Sequence, residues 1–122
     1  MQNIIIVGIG GFIGSILRYL ASYLINSKIN SILPFGTLSV NIIGCFAIGT
    51  LWGYVDTLET FNQSLRLFLF VGILGGFTTF SSFGYETIIM LKQGHFFFSL
   101  INISIHLIAG LGAVMLGYKI GS

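Results

Sequence analysis

The sequence predicts an all-α integral membrane protein of four transmembrane helices, the third of them broken near its middle. Three observations carry that prediction. Only 7% of the 122 residues are charged and 55% are hydrophobic, whereas a soluble domain carries about a quarter charged residues. Mean hydropathy is +1.00, and no Asp, Glu, Lys or Arg occurs between Ile29 and Val55 or between Gln93 and Tyr118. Four apolar runs, finally, reach the length of about 20 residues that a helix needs to cross the hydrocarbon core. A soluble globule and a disordered chain are excluded at this step. The net charge of +2 is too sparse for the phosphate-neutralising footprint of a nucleic-acid binder, so no nucleic-acid partner is expected. The whole chain, 1–122, reads as a single transmembrane domain with spans at about 4–25, 35–55, 65–91 and 96–118.

The first span, from Ile4 to Ile25, lacks the basic start and small-residue cleavage site of a signal peptide. Its opening, Ile4-Ile-Ile-Val-Gly-Ile-Gly-Gly-Phe-Ile-Gly14, superficially resembles a nucleotide-binding strand and loop. The register fails, because after Gly8 and Gly10 the third glycine should fall at 13, which is isoleucine, and the first acid downstream is Asp56. The second span begins after Pro34, where proline is tolerated at the first turn of a helix. Asn62 or Ser64 can cap the third. At 27 residues, Leu65 to Leu91 would form a helix of about 40 Å, longer than the bilayer core. Its middle, Gly75-Gly-Phe-Thr-Thr-Phe-Ser-Ser-Phe-Gly84, sets adjacent glycines before four hydroxyl residues. Irregular backbone survives at membrane depth where it is buried in protein or lines a cavity, and a helix broken there commonly marks an ion or substrate site. A tilted, intact helix whose hydroxyls bond back to the preceding turn is the other reading of the same residues. The fourth span, Phe96 to Tyr118, carries Asn102 and His106 four residues apart, on one helix face.

Orientation follows the lysines and arginines of the loops. One side carries Arg66 and Lys119, the other Lys28 and Lys92, with Arg18 inside the first span. Balanced charge permits insertion in both orientations, and four short helices do not readily enclose a polar pathway alone. Two opposite copies of the chain could then pair as an antiparallel, dual-topology dimer about a two-fold axis in the membrane plane, although with only five basic residues such a balance also arises by chance. The pairs Gly10 and Gly14, Gly49 and Gly53, and Gly72 and Gly76 have the small-xxx-small spacing of closely packed membrane helices.

Charge at membrane depth costs at least about 2.5 kcal/mol on insertion scales, so Arg18 and Glu86 need an aqueous vestibule, a partner or a snorkelling route. Thr37 and Asn41 share a face of the second span, and an asparagine amide offers two N–H donors that can replace water around an anion. Phe77, Phe80 and Phe83 recur beside the hydroxyl run. They read either as a lipid-facing stripe or as rings whose positive edges support a poorly hydrated anion. The single Cys45 forbids an intrachain disulfide and is most economically a packing residue. No serine–histidine–acid set, metal-ligand cluster or nucleotide loop is present, so passive permeation is expected and enzymatic chemistry is not.

Three blocks, Gly10-Gly-Phe-Ile-Gly-Ser-Ile-Leu-Arg-Tyr19, Phe35-Gly-Thr-Leu-Ser-Val-Asn-Ile-Ile-Gly44 and Gly75-Gly-Phe-Thr-Thr-Phe-Ser-Ser-Phe83, resemble in order and separation the signatures of the CrcB/Fluc fluoride channels. The resemblance implies a fluoride-selective passive channel that exports fluoride from the cytoplasm across the cell (inner or plasma) membrane. It implies an antiparallel dimer with two pores. Phe80 and Phe83 match the rings that meet fluoride edge-on, Asn41 the pore asparagine, and Thr79, Ser81 and Ser82 the hydroxyl track. Gly75 and Thr78 match positions whose backbone carbonyls hold a structural sodium ion at the dimer interface. Arg18, Thr37 and Glu86 fall in the vestibule or pore lining. Asn102 and His106 depart from the family pattern, where a tyrosine and a small hydroxyl residue are expected. That departure admits a second arrangement, in which this chain is one half of a heterodimer with a paralogous subunit. A small proton-coupled multidrug exporter is a further rival, but that class depends on a glutamate in the first span, and here the first span holds only Arg18. A non-transporting assembly subunit held by its glycine faces is another, and it would leave Asn41 and the hydroxyl run without a reason.

Overall fold

The computed structural model describes residues 1–122 and is helical almost throughout. Four helices are long and apolar enough to cross a membrane: Gln2–Lys28, Phe35–Asp56, Gln63–Lys92 and Phe96–Gly121. The second gains only Asp56 over its apolar stretch, while the others run a few residues past theirs, because polar residues such as Ser27 and Lys28 are compatible with a last helical turn. Ser27 Oγ donates to the Leu24 carbonyl, and Lys28 sits at the negative end of the helix dipole. Ile29 then turns extended. Pro34 stands one residue before the second helix, and Asn26 Oδ1 accepts the Gly36 N–H at 3.0 Å, which ties the first helix to the start of the second. Asn62 caps the third, its side chain accepting from the Leu65 N–H. Gly94, at φ 83°, makes the tight turn into the fourth.

The first and third helices run parallel to one another, as do the second and fourth. Glycine sets both contacts. A Cβ on Gly10 would lie 2.9 Å from Gly72 Cα, and one on Gly76 would lie 2.6 Å from the Gly11 carbonyl oxygen. Gly49 and Gly53 press on the backbone of Val114 and Tyr118, while Gly117 and Gly121 press on Thr50. The small-xxx-small pairs thus serve packing within the chain, where van der Waals contact replaces a hydrophobic drive that lipid does not supply. Burial is inverted accordingly. Thr37, Thr79, Thr87, Ser99 and Asn102 are buried, whereas the outer surface is lined with residues such as Ile4, Phe12, Leu107, Ile108 and Met115.

The third helix is irregular in two places. Residues Leu67–Leu74 adopt the wider π form, an arrangement found most often as short insertions at functional sites. Beyond a last turn at Gly75–Phe77, Thr78 (φ −85°, ψ 156°) and Thr79 (φ −150°, ψ 111°) are extended, and α-helix resumes at Phe80–Lys92.

Candidate functional site

The extended pair is held by side chains. Asn41, on the second helix, accepts the Thr79 N–H through Oδ1 at 2.8 Å and donates through Nδ2 to the Thr79 carbonyl at 3.0 Å. One amide thereby satisfies both main-chain polar groups of a residue at membrane depth, where an unpartnered group costs several kcal/mol. The side chain of Thr79 starts the next helix: its Oγ1 accepts the Ser82 N–H at 3.1 Å and lies within 3.2 Å of Ser81 Oγ and 3.0 Å of Ser82 Oγ. Thr79, Ser81 and Ser82 therefore form one hydroxyl cluster. Close approach of the second helix is possible because Gly44, one turn beyond Asn41, has no side chain to collide with Thr78.

A cavity of about 370 Å³ lies against this break. Asn41, Thr78, Thr79, Phe80, Phe83 and His106 supply most of its distinctive chemistry, with Gly44, Cys45, Ile48, Phe70, Leu74, Gly75 and Leu107 completing the wall. The Phe80 and Phe83 rings are 5.3 Å apart at an interplanar angle of 54°. Phe80 is 81% exposed, so the cavity is open at that ring. Phe77, before the break, is not part of the wall, and of the hydroxyl cluster only Thr79 lines it, Ser81 and Ser82 lying outside. Cys45 does line it, although its residue type gave no sign beyond packing.

Other candidate residues sit apart from the cavity. Thr37 Oγ1 donates to Glu86 Oε1 at 2.8 Å, and Glu86 Oε2 is buried without a partner. Arg18 is half-buried on the first helix. Asn102 does not share the cavity with His106 despite the four-residue spacing. It is fully buried and donates through Nδ2 to Thr87 Oγ1 at 2.9 Å. Thr87 and Ser99, not anticipated from sequence, complete this contact: Thr87 donates to the Phe83 carbonyl and Ser99 to the Thr87 carbonyl. Their signal was only that of hydroxyl residues within apolar helices, which is weak because Ser and Thr also bond back to their own turn.

The arrangement offers an anion weak, fixed dipoles instead of charge. Asn41 retains a second amide N–H beyond the one given to Thr79, the hydroxyl cluster can reorient its protons, and the ring edges are positive. It also redirects two donors. In a continuous helix the Thr79 N–H would go to the Gly75 carbonyl and the Ser82 N–H to the Thr78 carbonyl; here they go to Asn41 Oδ1 and Thr79 Oγ1.

A family profile described as "CrcB-like protein, Camphor Resistance (CrcB)" matches residues 5–118. A protein of Ruminiclostridium cellulolyticum named fluoride-specific ion channel FluC is 44% identical over 117 residues, 96% of this chain and 90% of the relative. A protein of the same name from Leptospira interrogans serovar copenhageni is 39% identical over 116 residues, 95% of this chain and 91% of the relative. Another, from Campylobacter jejuni strain 81-176, is 38% identical over 120 residues, 98% of each.

Proposed function

Because this chain belongs to the CrcB family, we propose that it is a fluoride-specific ion channel, passive rather than enzymatic, that exports fluoride across a lipid bilayer. The observation that carries this reading is the Asn41 clamp on Thr79, which holds an unwound backbone open beside two aromatic rings and a hydroxyl cluster. Fluoride entering the path gives up water and takes in exchange the free Asn41 N–H, the hydroxyls of Thr79, Ser81 and Ser82, and the edges of Phe80 and Phe83. None of these groups carries a full charge, so the ion is held loosely enough to leave again, as conduction requires. Thr37 and Glu86 line an approach to the pore, and Arg18 contributes positive charge to the vestibule.

The working unit in this reading is an antiparallel dimer of the chain in the cell membrane. Two features support it: the cavity is open at an exposed Phe80, which a second copy would cover, and basic residues are balanced between the two sides. A sodium ion at the dimer interface fits the same arrangement. The carbonyls that would hold it are those of Gly75 and Thr78, two of those that lose their helical donors at the break. When bound, sodium supplies a fixed positive charge that joins the copies and offsets the field of the anions. Liposomes containing only this chain, loaded with fluoride and read with an ion-selective electrode, test the reading. Release above that of empty vesicles supports a functional homodimer, and none from folded protein overturns it. Terminal tags that label from one side alone would rule out dual insertion.

A further inference from the structure

We propose that His106 is a positioning residue for the Phe83 ring, setting the angle at which that ring meets the anion; the flux consequence rests on the fluoride reading above. His106 Nδ1 lies 3.0 Å from the Asn102 carbonyl oxygen. A carbonyl can only accept, so Nδ1 carries the hydrogen and the bond fixes the imidazole plane. On its other side the imidazole centroid is 4.3 Å from that of Phe83, at 43°. Asn102 is itself anchored: fully buried, it donates to Thr87 Oγ1 at 2.9 Å, and Thr87 Oγ1 donates to the Phe83 carbonyl at 2.7 Å. The contacts close a circuit. The Phe83 backbone is referenced to Asn102 through Thr87, and the Phe83 ring is referenced to the same Asn102 through His106.

The consequence is chemical as well as mechanical. A phenyl ring attracts an anion at its edge and repels it at its face, so a ring free to tilt loses selectivity for the edge-on approach. The circuit removes that freedom. Phe80, by contrast, is largely exposed and takes its angle from Phe83 and from whatever covers it.

The test compares the full chain with His106→Ala and His106→Phe, reading the ring-flip rate of Phe83 by NMR of selectively labelled phenylalanine together with fluoride flux in vesicles. His106→Ala is expected to speed the flip and to lower flux by about two- to tenfold, the factor that corresponds to losing one aromatic pair. His106→Phe, which keeps a packed ring but loses the Nδ1–H bond to the Asn102 carbonyl, is expected to fall between His106→Ala and the unmodified chain in both, because its ring still packs on Phe83 but is no longer oriented by Asn102. Should His106→Ala not fold, His106→Leu, which keeps bulk without a ring, takes its place with the same expected direction. An unchanged flip rate in His106→Ala or His106→Leu overturns the proposal, as does a His106→Phe variant no slower in flipping than His106→Ala. If the unmodified chain carries no fluoride, the channel reading fails, and the ring-flip comparison still decides this one.

Discussion

Replacing Asn41 with alanine removes the single side chain that holds the break open. Two hydrogen bonds to Thr79 disappear, at 2.8 and 3.0 Å, and Thr79 is only 7% exposed, so its main-chain groups find no water. Interhelical hydrogen bonds in membranes average about 0.6 kcal/mol and reach about 1.7, while each buried polar group left unpartnered costs about 1–3 kcal/mol. These terms overlap, and together they give about 2–4 kcal/mol against the clamped conformation. At 1.4 kcal/mol per tenfold, that lowers the clamped population by about 30- to 1,000-fold relative to re-formed helix. Fluoride efflux from vesicles should fall at least about tenfold, with the protein still inserted and assembled on gel filtration. Asn41→Asp, which keeps an acceptor for the Thr79 N–H but loses the donor, should be intermediate in stability. An Asn41→Ala protein that is folded and conducts within about twofold of the unmodified chain would refute the reasoning.

Three further outcomes are expected. Gly10→Ala places a Cβ 2.7 Å from the Phe68 carbonyl oxygen and 2.9 Å from Gly72 Cα, backbone atoms that cannot step aside. It should destabilise the fold by about 1–3 kcal/mol in detergent unfolding, whereas Gly8→Ala, with nothing within 4 Å, should be neutral or stabilising by up to about 1 kcal/mol. Phe80→Ile and Phe83→Ile keep apolar bulk and remove the positive edge, so fluoride flux should drop while gel filtration is unchanged; equal flux in both would reduce the rings to packing. Exchanging sodium for a large organic cation throughout purification should weaken association of the copies, read as a shift toward monomer on dilution.

The four helices were legible because lipid imposes a coarse rule, about 20 apolar residues per crossing, that few other arrangements satisfy. Their ends were not, since Ser27 and Lys28 are polar yet suit a last turn. The Gly75-Gly-Phe-Thr-Thr run was conspicuous, and Thr78 and Thr79 are the residues that leave helical geometry. By contrast, nothing in Leu67-Phe-Leu-Phe-Val-Gly-Ile-Leu74 distinguishes π from α backbone. Asn41 stood out as a polar group at depth, but its bonds reach a residue 38 positions away, and no local pattern encodes that distance. Asn102 and His106 illustrate a further limit. A four-residue spacing puts two side chains on one face, yet the rotation of the helix sends Asn102 into the contact with Thr87 and His106 into the cavity.

The central claim is that uncharged dipoles around Asn41, Phe80 and Phe83 make a path for fluoride in particular. Current through a planar bilayer containing only this chain, with unequal fluoride on the two sides and chloride in the opposite gradient, tests it most directly. The account predicts a reversal potential set by the fluoride gradient alone and no current when chloride is the only anion. A reversal potential that follows chloride, or a current that persists in chloride alone, would contradict it.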